Sequence, residues 1–214
     1  MKPVRSLFLS ALFLLTLLGA FLWLSPQLPA HVAVHWNAQG QINGYATPIR
    51  AVVTPMIIMA VLGLLTVALP AISPRGFEIT PFVSVFVVIM LAVQAFVLIT
   101  ALGILLNAAG HPIGKLVTRM LPLGVLLMII GNYMGKLRKN FFAGIRTPWT
   151  IVNDEVWERT HRLAGWLFML AGLVVVAVSL MGASMLFSVG AMLAAALIPA
   201  VYSYFVYRRV ERNH

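Results

Sequence analysis

The 214-residue chain contains no cysteine. Disulfide frameworks, thiolate metal sites and cysteine nucleophiles are therefore excluded. Charge is nearly as scarce, with 15 Lys and Arg against five Asp and Glu, 9% of the chain in all. A soluble domain of this size carries about 25% charged residues. Here 61% of the residues are hydrophobic, so too few polar side chains exist to cover a water-facing surface. The bilayer must be the solvent for most of the molecule. The formal charge of +10 does not point to nucleic acid, because the basic residues sit between apolar runs rather than on a soluble face.

Carboxylates are missing from the apolar runs altogether. All five (Glu78, Asp154, Glu155, Glu158 and Glu211) lie between runs or beyond them. Proton- and sodium-coupled transporters commonly place Asp or Glu near the midplane of the membrane. Two polar residues in the spans stand out: Gln94, expected to make an interhelical hydrogen bond, and Arg119, expected to snorkel to an interface. A cavity near these two is all that supports the alternative reading, a small-solute or lipid transporter. No Gly-x-Ser-x-Gly elbow, His-Glu-x-x-His motif or paired carboxylates face the membrane. The chain reads as a non-enzyme without a cofactor.

What is abundant is apolar sequence long enough to cross a bilayer, which takes ~20 residues at 1.5 Å rise each. Such runs fall at 7–24, 49–69, 82–106, 113–134, 163–180 and 185–207. The expected fold is an all-α integral membrane protein with about six transmembrane helices. No small-x-small cleavage site follows the first run, which reads as a retained span. With the N-terminus inside, Lys2, Arg5, Arg75, Lys136, Arg138, Lys139, Arg146, Arg159, Arg162, Arg208, Arg209 and Arg212 fall inside. Arg50, Lys115 and Arg119 fall outside. That split is twelve to three of the 15, and the positive-inside rule orients both termini to the cytoplasm.

Segment 25–48 follows the first span and is expected outside as a small extracytoplasmic cap. Val32, Val34 and Trp36 alternate with His31, Ala33 and His35, and Asn37 to Gly40 and Asn43-Gly44 are turn signals. A strand places His31 and His35 ~13 Å apart at ~3.3 Å per residue, too far for one metal ion. These histidines, with Trp36, Asn37 and Gly40, are expected structural or ligand contacts rather than metal ligands.

The inner loop, 135–162, is richer. Pro148 biases Thr147 away from helix, so Arg146-Thr-Pro-Trp149 should form a turn at the membrane surface. Arg146 is then free to pair with phosphate or with Glu158, and Trp149 and Trp157 can anchor at the headgroups. Asn153 is an N-cap, with Asp154 and Glu155 in the first turn of a helix that runs on into the fifth span. Glu155 with Arg159, and Glu158 with Arg162, are i, i+4 pairs. On that helix Trp157, His161 and Ala164 share one side. They read either as interfacial packing against the 146–149 elbow or as a docking surface.

The stretch Gly131-Asn132, Lys136, Asn140, Gly144-Ile145-Arg146-Thr147-Pro148-Trp149-Thr150, Trp157, Thr160-His161-Arg162 and Gly165 resembles the signature of the SdpI family of bacterial membrane proteins. The first half is similar to a domain of unknown function often found ahead of it, marked here by Pro29 and His35-Trp36-Asn37-Ala38-Gln39-Gly40. That domain often carries an Asp two or three residues after the Gly, where this chain has Ile42 and Asn43. The resemblance implies a bacterial inner-membrane immunity or sensor protein. Its expected partners are a secreted toxin peptide outside and a transcriptional repressor held at the membrane inside. It assigns the inner role to Asn132, Lys136, Asn140, Arg146, Thr147, Pro148, Trp149, Trp157, His161 and Arg162. The chain divides accordingly into a two-helix unit (1–75) with its outer segment, a third span with connections (76–112), and a three-helix SdpI-like unit (113–214).

Overall fold

The computed structural model describes residues 3–37, 39, 41–111, 120–182 and 184–212. Within them the chain forms seven α-helices and one β-hairpin: α1 (Pro3–Leu24), β1 (Val32–Trp36), β2 (Ile42–Ala46), α2 (Pro48–Ile72), α3 (Val83–Ala108), α4 (Leu121–Met134), α5 (Pro148–Val152), α6 (Asp154–Met181) and α7 (Met185–Arg212). Five segments are long and apolar enough to cross a membrane: α1, α2, α3, α6 and α7 with their flanking turns. This is a multi-pass membrane protein. The described part of the fourth run, α4, is a shorter apolar helix of 14 residues, and residues 112–119, with Lys115 and Arg119, lie outside the described residues.

Local chemistry sets the helix ends. Thr47 caps α2, its side chain accepting from the Arg50 backbone, and Pro48 fills the first helical position, where its missing N–H costs nothing. Asn153 caps α6 by accepting from Val156 N–H at 3.1 Å. Gly182 ends α6 in the left-handed region, its N–H closing on Val178.

Strands β1 and β2 form an antiparallel hairpin, Val32 opposite Ala46 and Trp36 opposite Ile42, with irregular register between. Asn37 closes the turn: its backbone N–H donates to Gln41 at 2.9 Å, and its side-chain oxygen accepts from Gln39 and Gln41. A lone hairpin is marginal in water. This one is held by Val32, 1% exposed, and by packing on α2 and α3.

Helix α3 is shared between two packing centres. Its C-terminal half joins Leu17 and Leu24 of α1 and Val52 and Met59 of α2 around Leu98 and Leu105. Near its start, Phe82 and Phe86 join Ile79, Met134, Leu137, Trp157 and Ala164. Between these centres Gln94 is fully buried. It does not make the expected interhelical bond: its amide donates to Met90 one turn back at 3.4 Å, and its carbonyl oxygen has no partner among the described residues. Small residues permit this close meeting of α1, α2 and α3, since a Cβ built on Gly63 comes 3.2 Å from Ser10 Oγ and 3.9 Å from Gln94 Oε1.

The closest helix contact is α4 against α6. A Cβ on Gly131 would sit 2.7 Å from Met169 N and 2.8 Å from Gly165 O. One on Gly172 would sit 2.6 Å from Gly124 O. Glycine repeats seven residues apart on both helices, 124 and 131 facing 172 and 165. The two backbones touch at both levels, which is how helices associate when lipid supplies no hydrophobic drive between them.

Candidate functional site

The loop between α4 and α6 folds back over the start of α6 and the C-terminal part of α7, and buried polar groups hold it there. Asn140 is fully buried. Its oxygen accepts from Phe142 N–H at 2.8 Å and Ala143 N–H at 2.7 Å, and its amide donates to Arg138 O at 2.8 Å and Ala143 O at 3.1 Å. One side chain thus replaces the backbone partners that the loop lacks. Asn140→Ala should cost about 1–3 kcal/mol, the range for orphaning buried polar groups. Trypsin cleavage after Arg138 and Lys139 should accelerate accordingly, and unchanged resistance would show that the loop is held by other means.

Trp157, 1% exposed, donates its indole N–H to Leu137 O at 2.8 Å. The headgroup anchor expected for it is therefore replaced by a buried strut, because the loop covers the face of α6 that a linear reading leaves open. His161, fully buried, stacks on Trp157 with ring centroids 4.0 Å apart. Its Nδ1 faces Trp157 O at 2.8 Å, and its Nε2 accepts from Ile145 N–H at 3.0 Å. Those two partners select the neutral imidazole protonated at Nδ1. Gly144 passes directly over the ring with φ +107°, and a Cβ there would lie 2.3 Å from His161 Nε2.

The elbow is capped rather than merely bent. Thr147 and Thr150 form a capping box at the start of α5, Thr147 N–H donating to Thr150 Oγ1 at 2.9 Å and Thr150 N–H to Thr147 Oγ1 at 3.2 Å. Thr147 Oγ1 also meets Ser203 Oγ of α7 at 2.9 Å, and Trp149 packs edge-on to Tyr204 at 5.2 Å. Arg146 donates to Phe141 O, not to Glu158. Glu158 is taken by Arg138 at 2.7 Å, so the expected Glu158–Arg162 pair is absent, whereas Glu155–Arg159 is present at 2.6 Å. Lys139 binds Asp154 at 2.7 Å.

The residues singled out from sequence thus fall into two sets. Asn140, Trp157 and His161 are buried, and Thr147, Pro148 and Trp149 build the elbow. Asn132, Lys136, Arg146 and Arg162 are exposed. Lys136 and Arg162, with Arg138 and Glu158, line a cavity of about 580 Å³ beside the first turn of α3. Sequence reasoning missed Ser203, Leu137 and the Gly124–Gly172 contact. The seven-residue glycine spacing was the available signal for the last.

At the opposite end of the bundle, His35 Nδ1 lies 2.6 Å from Asn43 Oδ1, Trp36 is 36% exposed, and Asn37 is occupied in the turn. His31 is exposed just before β1. Gly40 lies outside the described residues. Among the described residues no group of three His, Asp or Glu could hold a metal ion.

Residues 136–203 match the SdpI/YfhL protein family, and residues 11–59 match a domain of unknown function, DUF1648. The chain is 28% identical over 115 residues to Immunity protein SdpI of Bacillus subtilis (strain 168). That alignment covers 53% of this chain and 56% of the relative, so it spans little more than half the length of either. No solved structure matches. The segment holding Asn140, the capped elbow, the Trp157–His161 stack and Ser203 lies within the residues that match the SdpI/YfhL family, behind the residues that match DUF1648 in the same chain.

Proposed function

We propose that this chain is a non-enzymatic immunity or sensor protein of the bacterial inner membrane. Both termini and the inner elbow face the cytoplasm, and the hairpin faces outward toward a secreted toxin peptide. The elbow is the output end, where a transcriptional repressor docks. The observation that carries this reading is the division of labour in the elbow. A buried network (Asn140, Trp157, His161) spends its hydrogen bonds on holding a rigid frame, and Lys136, Arg146 and Arg162 stand exposed on it. Rigid presentation of exposed cations suits recognition more than chemistry. Similarity to an immunity protein supports the protective role.

The test compares survival of cells with and without the gene, challenged with spent medium from toxin-secreting strains. Arg146→Ala should leave protein level intact and cut protection about tenfold, the equivalent of one charge-assisted hydrogen bond. Arg146→Lys should restore it only in part, because an ammonium cannot supply the planar fork. Full protection by both Arg146→Ala and Trp149→Ala at normal protein level would reduce the elbow to a membrane anchor.

Topology has its own test, made simple by the cysteine-free chain. Single cysteines at Tyr45 and Ser184 should react with an impermeant maleimide in intact cells, and one at Val152, 67% exposed on the elbow, should react only after permeabilisation. Labelling of the Val152→Cys protein in intact cells would invert the orientation.

A further inference from the structure

The cavity beside the first turn of α3 lies where three helices pass from polar to apolar sequence. Here α3 begins after the turn Thr80–Phe82, α4 ends at Met134, and α6 leaves Arg162 for the apolar run 163–180. Its volume is about 580 Å³. Lys136, Arg138 and Arg162 bring three cations to it and Glu158 one carboxylate, which Arg138 engages at 2.7 Å. Arg162 makes no ion pair among the described residues, and Lys136 lies over the Tyr133 ring at 4.8 Å. The net excess of two positive charges is thus open to the cavity. Its other wall is mixed, with apolar Pro81, Val83 and Val85 beside the hydroxyls of Thr80 and Ser84.

From this we infer that the cavity binds the phosphate headgroup of an anionic membrane phospholipid, with Lys136 and Arg162 on the phosphate and the α3 wall against the glycerol and upper acyl chain. Basic pockets between spanning helices recognise such headgroups. The apolar part of that wall favours a lipid over free phosphate, which would gain nothing from Pro81, Val83 and Val85. The inference goes beyond the immunity reading and does not depend on it; with Lys136 and Arg162 on a lipid, Arg146 is the exposed cation left for a protein partner. Bound lipid would tie α3 to α6 at the base of the elbow.

The experiment is thermal unfolding of the full chain in neutral detergent, with added phosphatidylglycerol, phosphatidylcholine or inorganic phosphate. Phosphatidylglycerol should raise the midpoint by about 5 °C near saturation, and phosphatidylcholine should not. Lys136→Gln with Arg162→Gln should abolish the rise, and Lys136→Arg should keep it. Arg208→Gln with Arg209→Gln, which removes the same charge elsewhere, should keep it too. Midpoints without lipid report whether each variant folds, and native mass spectrometry counts lipid on the single variants if the double one does not. Equal protection by inorganic phosphate, equal loss in both double variants, or protection undiminished by Lys136→Gln with Arg162→Gln would each overturn the proposal. No toxin enters this assay, so its failure and that of the immunity reading are separable.

Discussion

Gly131→Ala lowers the stability of the chain by about 3 kcal/mol, the upper end of the usual overpacking range, and Gly131→Leu prevents the folded protein from accumulating. The added methyl of alanine would meet Met169 N at 2.7 Å and Gly165 O at 2.8 Å. Both are backbone atoms and cannot rotate away. The strain propagates to the second contact level, because Gly172 is already seated so that a Cβ there would lie 2.6 Å from Gly124 O. Gly19→Ala supplies the control, since nothing lies within 4 Å of its Cβ position. There the helix-propensity gain of up to ~1 kcal/mol is unopposed, so stability holds or rises. Thermal unfolding in detergent measures both. A Gly131→Ala midpoint equal to that of Gly19→Ala would mean that α4 and α6 do not touch along these glycines.

Gly144→Ala releases the inner loop while leaving the spans in place. At φ +107° an L side chain is strained by about 1–3 kcal/mol. The new Cβ would also lie 2.3 Å from His161 Nε2, and the imidazole has no room to retreat. It is pinned by its stack on Trp157 and by its bond to Trp157 O. The Ile145–His161 bond breaks, which orphans the buried imidazole nitrogen and a half-buried backbone N–H at a further ~1–3 kcal/mol. Trypsin cleavage after Lys139 and Arg146 should rise sharply in opened vesicles, and protection should vanish, with cysteine labelling of Tyr45 and Ser184 positions unchanged. Gly76 has φ +81° and nothing within 4 Å of its Cβ position, so Gly76→Ala should show only the conformational strain. Adding His161→Ala to Gly144→Ala removes the clash and should recover part of the protease resistance. A Gly144→Ala protein as resistant as the parent would show that the loop does not cross His161.

Where local rules govern, the sequence was legible. Asn153 caps α6 and Glu155 pairs with Arg159 because both depend on spacing along one helix. The β-branched run after His31 and the turn signals at Asn37 yield a hairpin, because Asn37 can serve its own turn. Burial does not alternate along β1, however: Val32 is buried and the adjacent His35 and Trp36 are both exposed. Pairings between segments were not legible. Glu158 is four residues from Arg162, yet it binds Arg138, which the fold brings in from 20 residues away. Trp157 beside arginines reads as an interfacial anchor until the loop closes over it. Arg146, free in a linear reading, is turned onto Phe141 O by the same closure.

The amino-acid sequence alone determines that the bilayer is the solvent, roughly where the long helices run, where α2 and α6 begin, and that charge is concentrated at one end of the bundle. Each of these follows from composition or from contacts within a few residues. The tertiary structure decides which polar groups are frame and which are free. Asn140 satisfies itself within its own turn, but burying Trp157 and His161 requires the loop to close over α6, since their partners Leu137 and Ile145 lie 20 and 16 residues away. The same closure brings Thr147 to Ser203 of α7. The cationic cavity arises in the same way: Lys136 and Arg162 are 26 residues apart in sequence and share one wall only because α4 and α6 pack on glycine.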